Sequence, residues 1–175
     1  EKSDTERNAT QILEFAGMPS SLVATKNLDY IEATKELKAG DIDAFFCTAG
    51  LTTTVIDELS NECDIRLIPL TDTVISKMLE SSLAYTSEVI PAGTYTGQTT
   101  DISTIGVKSV LITKADVSDD TIEQLTSLLF EKENEISYSN SLKLELTYDF
   151  ATDDIPIPFH DGAKRYYKAC GYSTN

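Results

Sequence analysis

Positive charge is scarce in this chain: 14 lysines and arginines stand against 29 aspartates and glutamates among 175 residues, for a formal net charge of −15. Phosphate backbones require cationic partners, so nucleic-acid binding is disfavoured, and anionic membrane surfaces are disfavoured for the same reason. The simplest reading of the acidity is a well-solvated surface. Histidine is limited to His160, which leaves zinc short of its usual ligands, and no other metal or cofactor is expected. Cys47, Cys63 and Cys170 are odd in number and lack C-x-x-C spacing, so they define neither a disulfide framework nor a metal knuckle. Three free thiols are expected, with a Cys63–Cys170 bridge as the alternative in an oxidising compartment. No apolar run approaches the ~20 residues needed to span a bilayer. Internal repeats, low-complexity tracts, coiled-coil heptads and a G-x-S-x-G nucleophile motif are all lacking. No signal peptide is visible, and the chain opens at Glu1 rather than Met; it reads as a processed or truncated product.

What is present is an alternation of helix and strand. Periodicity predicts helices over 5–16, 29–39, 52–61, 72–82, 118–133 and 161–170, and strands over 22–25, 42–47, 65–70 and 103–114. The helix at 5–16 gathers Ala9, Ile12, Leu13 and Ala16 on one face and ends at Gly17. The helix at 118–133 opens on Ser118 and two acids, a favourable first turn, and is expected to point Ile122, Leu125, Leu128 and Leu129 inward. The segment "TSEVIPAGTY" reads as an extended connection, and 134–150 as part helix, part strand. This order implies an α/β fold with a mostly parallel sheet covered by helices on both faces. Pro91-Ala92-Gly93 punctuates the pattern and divides the chain into domains 1–95 and 96–175.

The segment "ATKELKAGDIDAFFCTAGLTTTVIDEL" at 33–59 carries the strongest pointer to a site. Its first helix ends at Ala39-Gly40, and Ile42, Ala44, Phe45, Phe46 and Cys47 form an apolar run of the kind buried on both faces of a parallel sheet. Thr48-Ala49-Gly50 then breaks the run before another helix. Ligands of open α/β sheets bind beyond the carboxyl ends of strands, where the next helix offers free N–H groups, so the turn at Thr48, Ala49 and Gly50 is a candidate binding element. The alternative is an ordinary βα loop without a ligand. Ser3 and Thr5 stand at the start of the first helix, a natural anion position. Tyr95 and Gln98 offer a hydroxyl and an amide beside flexible glycines in "GTYTGQ". His160, ten residues before Cys170, lacks an orienting acid at motif spacing, and is expected to cap or brace the last helix. Asp119-Asp120 and Asp153-Asp154 read as solvated turns rather than a calcium loop.

"LKAGDIDAFFCTAG", "IPAGTYTGQTTDISTIGV" at 90–107 and "PIPFHDGAKRYYKACG" at 156–171, together with the opening "SDTERNATQILEFAGM", are similar in order and spacing to the TAXI family of solute-binding proteins, the extracytoplasmic receptors of TRAP-type transporters. The resemblance covers about the second half of such a receptor. It implies a type II periplasmic-binding-protein-like fold, incomplete here, with 1–95 as most of the second lobe and 96–175 as the C-terminal part of the first. It further implies a non-enzymatic protein at the cell exterior, in the periplasm or lipid-anchored, that delivers a small carboxylate or amino acid of the glutamate or glutamine type to TRAP-type permease subunits. Ligand would be oriented by backbone N–H groups and by the hydroxyls of Thr5, Thr48 and Tyr95. Asp4 departs from the family's Ser-Gly-Thr-Glu loop, standing where that pattern has glycine, so its carboxylate competes with an anionic ligand for the helix's positive end. If half of the receptor is absent, this chain alone is expected to bind solute poorly. The competing expectations are a hydrolase or transferase on a doubly wound sheet with His160 as base, and an interaction module whose other half is a separate chain.

Overall fold

Short-range capping chemistry sets where the helices begin and end. In the computed structural model, which describes residues 3–131 and 146–174, α1 (Asp4–Phe15) starts at Ser3, whose hydroxyl oxygen accepts the Glu6 N–H, and Gly17 turns the chain away at φ 76°. The N-cap is thus Ser3, with Asp4 the first helical residue. Asp29 caps α2 (Tyr30–Ala39) by accepting the Glu32 N–H at 2.8 Å, and the left-handed Gly40 closes it. Helices α3 (Thr54–Glu62) and α4 (Asp72–Ser81) follow, the latter capped by Thr71. Ser118 accepts the Thr121 N–H ahead of α5 (Asp119–Glu131), Thr147 caps the short α6 (Tyr148–Thr152), and His160 caps α7 (Asp161–Ala169). Two strands, β1 (Tyr85–Ile90) and β2 (Ile102–Val107), pair with each other. Gly106 lies against the Thr86 and Glu88 side chains while Ala92 donates to the Asp101 carboxylate, so the pair runs antiparallel.

The chain forms two units, 1–106 and 107–175. In the first, α4 packs on α1 and β1, and α2 packs on α3. Its buried hydrophobic side chains are Ala33, Ile56, Leu59, Val74, Ile75, Met78, Tyr95 and Ile102, with Met78 at 0% exposure. In the second unit α5 lies along α7. Their crossing is close because position 162 is glycine: a Cβ there would stand 2.2 Å from the Asp119 carbonyl oxygen. An aromatic stack completes this unit, with Tyr148 between Phe130 at 4.3 Å and Tyr172 at 4.8 Å, and Tyr167 meeting Phe159 edge-on. Arg165 bridges Asp120 and Glu123 on α5 from its exposed side.

The parallel sheet expected from the apolar runs does not form among the described residues. Segments 22–25, 42–47 and 65–70 carry no ladder, and the strand expected over 103–114 ends at Val107, beyond which Leu111 and Ile112 are 70% and 72% exposed. Phe46 is exposed rather than doubly buried, and Ile68 is 71% exposed. Leu70 alone links its segment to the sheet, donating its N–H to the Ser103 carbonyl at 2.9 Å. A strand is defined by a partner that local apolar content does not name, whereas a helix finds its hydrogen bonds within its own turn. The extended connection at 86–95 is correspondingly richer than expected, since its first five residues lie in β1. On α5, Ile122 and Thr126 face inward while Leu125 and Leu128 are exposed, so the inward face is rotated from the expected one. Of the ambiguous stretch at 134–150, α6 lies in the described part; the expectations for 134–145 fall outside the described residues.

Candidate functional site

A polar cluster in the first unit gathers residues from α1, α2, β1 and the 48–50 turn. The Tyr30 hydroxyl sits at its centre, donating to the Thr48 carbonyl at 3.1 Å, receiving the Thr48 N–H at 3.1 Å and meeting Thr5 Oγ1 at 3.0 Å. Asn8, one turn along α1 from Thr5, reaches Thr48 Oγ1 with Nδ2 at 3.5 Å. Its Oδ1 lies 2.8 Å from the Tyr85 hydroxyl, which also lies 2.9 Å from Gln11 Oε1. All six side chains are half-buried. A second tyrosine fastens the far side of the turn: Tyr95, buried at 6% exposure, donates its hydroxyl to the Leu51 carbonyl and accepts the Thr53 N–H at 3.3 Å. Thr53 heads α3 without a side-chain cap, and its own backbone N–H is the group that Tyr95 accepts.

The electrostatics follow from this packing. Burial pushes the Cys47 thiol up, opposed by its hydrogen-bonding contact with the Tyr30 hydroxyl. Burial likewise pushes the Tyr95 phenol up, opposed by the Thr53 N–H. Both groups stay neutral at physiological pH and offer hydrogen bonding rather than nucleophilic chemistry.

Each residue singled out from sequence has a definite place. Thr5 and Thr48 meet through Tyr30. Ser3 caps α1, and Asp4 beside it pairs with Arg7 at 3.7 Å, both exposed. Ala49 and Gly50 continue from Thr48, exposed and half-buried respectively. Gln98 is committed to the connection between the strands, donating Nε2 to the carbonyls of Ile90, Pro91 and Thr100 and accepting the Tyr95 N–H. His160 accepts the Gly162 N–H on Nδ1 at 3.1 Å, 3.8 Å from the Asp119 carboxylate, and its Nε2 is buried without a partner among the described residues. The contact with Gly162 is the helix cap expected of His160. All three cysteines are free, with Cys63 and Cys170 in different units.

Tyr30, Asn8, Gln11 and Tyr85 were not legible as site residues. Thr5, Asn8 and Gln11 recur every three residues along α1, a polar stripe masked by the apolar stripe beside it. Nothing in the local sequence around Tyr30 or Tyr85 announces that they converge on it.

The described residues form a mixed α/β fold with a small two-stranded sheet. A family model described as the NMT1-like family matches residues 1–171. The chain belongs to the NMT1-like family, with the periplasmic-binding-protein-like fold that membership carries. Members of that family serve in extracytoplasmic solute binding and are generally non-enzymatic. No helix among the described residues is long and apolar enough to cross a membrane.

Proposed function

We propose that this chain belongs to a TAXI-type receptor that captures a small carboxylate or amino acid, of the glutamate or glutamine class, and presents it to the permease subunits of a TRAP-type transporter. The observation that carries the reading is the hydrogen-bonded junction at Tyr30, which ties the start of α1 to the turn at 48–50. Two segments 40 residues apart, one at the start of α1 and the other in the loop ahead of α3, are thereby held together. Hydroxyls and backbone groups so placed orient a solute without attacking it. In this reading residues 1–95 form most of one lobe and 96–175 part of the other, and closure about a hinge buries the solute between them. Ser3, Thr5, Thr48, Ala49 and Gly50 would line the site on one side, with Tyr95 and Gln98 shaping its edge.

The turn provides the test. Replacing Gly50 with Val in the full-length protein adds a branched side chain where the solute is to approach the backbone. Affinity for the preferred solute, measured by calorimetry, is expected to fall at least tenfold, about 1.4 kcal/mol. Unchanged affinity with an unchanged circular dichroism spectrum would remove this turn from the site.

A further inference from the structure

We propose that His160 is a proton-sensitive cap of α7: uncharged, its ring holds the Gly162 N–H, and on taking up a proton it releases that group and turns to the Asp119 carboxylate of α5. Both partners face the same ring atom. Nδ1 lies 3.1 Å from the Gly162 nitrogen and 3.8 Å from Asp119 Oδ1. Accepting an N–H takes the lone pair of Nδ1, so the proton of the uncharged ring sits on Nε2, which is buried and has no partner among the described residues. An imidazolium carries a proton on each nitrogen. Nδ1–H and the Gly162 N–H would then meet as two donors, and the Asp119 carboxylate beside them is the acceptor that a charged ring can use.

The surroundings allow the exchange. The ring is 10% exposed and the Asp119 side chain 49% exposed, so the carboxylate has room to close the remaining distance while the ring stays in place. The other charges of the two helices that pack here are engaged. Arg165 bridges Asp120 and Glu123 of α5 and feels Asp119 through space, and Lys164 lies 3.0 Å from Asp161, the residue after the ring. Gly162 is buried against the α5 backbone, so its N–H, once released, costs free energy until the first turn of α7 opens toward water. Imidazole is the side chain that ordinarily changes charge closest to neutral pH, which places the exchange within a physiological range of acidity.

The test is NMR of the protein between about pH 8 and pH 5, following the His160 ring protons, the Gly162 amide and the Asp119 carboxyl carbon together. As the ring titrates, hydrogen exchange at Gly162, corrected for the intrinsic effect of pH, is expected to speed up by about tenfold or more, and the Asp119 carbon to shift with the same midpoint. His160→Asn keeps a capping oxygen but has no proton to gain in this range, and is expected to hold the corrected Gly162 exchange constant. Constant exchange at Gly162 while the wild-type ring titrates would overturn the proposal without any variant. A ring that does not titrate between these limits would overturn it too, as would the same acceleration in His160→Asn, which would assign the change to Asp119 or Asp161 instead.

Discussion

Met78→Ala is expected to destabilise the first unit by about 3 kcal/mol. Met78 is the one large side chain among the described residues that is fully buried, and it sits on α4, the helix that packs against both α1 and β1. Truncating it removes contacts on both sides and leaves a cavity that surrounding helices only partly close. Met78→Leu keeps most of the volume and is expected to lose less than about 1.5 kcal/mol. Urea unfolding read by circular dichroism would measure both. Equal small losses in the two variants would show that α4 is not the centre of this core.

Gly162→Ala is expected to destabilise the second unit by a similar amount, about 3 kcal/mol, through overpacking instead of a void. The added Cβ would stand 2.2 Å from the Asp119 carbonyl oxygen and 3.0 Å from the Glu123 amide nitrogen. Those are backbone atoms of α5 and have no rotamer through which to escape. The two helices must separate, which also disturbs the His160 cap on α7 and the bridges from Arg165 to Asp120 and Glu123. Alanine is otherwise the better helix former by about 1 kcal/mol, so a neutral or stabilising outcome in thermal unfolding would show that α5 and α7 do not cross this closely.

The contrast between helices and strands shows what the sequence could and could not announce. Asp29 before α2, Gly40 after it and Ser118 before α5 are chemical signals that lie within a few residues of the ends they mark. The apolar run 42–47 carried no comparable signal, because its expected burial depended on neighbours elsewhere in the chain, and Phe46 is exposed. The extent of β2 had the same weakness: "STIGV" and "SVLI" read alike, yet only the first lies opposite β1. The motif resemblance reached further than local pattern, but only to the broader level: the match across residues 1–171 is to the NMT1-like family, a family of solute-binding proteins.

The candidate site was legible by halves. Thr5 and Thr48 stood out as hydroxyls beside helix starts, and they do converge. Their common partner did not, since the phenol of Tyr30 acts through a contact 18 residues away from Thr48 and 25 from Thr5. Gln98 looked free beside its glycines, whereas the sharp connection between β1 and β2 leaves carbonyls that its amide must satisfy. His160 was read as a brace from the lack of catalytic companions, and the capping bond to Gly162 gives that reading its geometry.

The central claim is that this protein holds a small solute and returns it unchanged. Titration of the full-length protein with L-glutamate and L-glutamine, followed by calorimetry and by NMR of the solute over hours, tests it directly. Saturable binding of at least one of them, with the solute recovered intact, is the predicted result. Absence of binding to either, or conversion of the solute that disappears in a His160→Ala variant, would contradict the account.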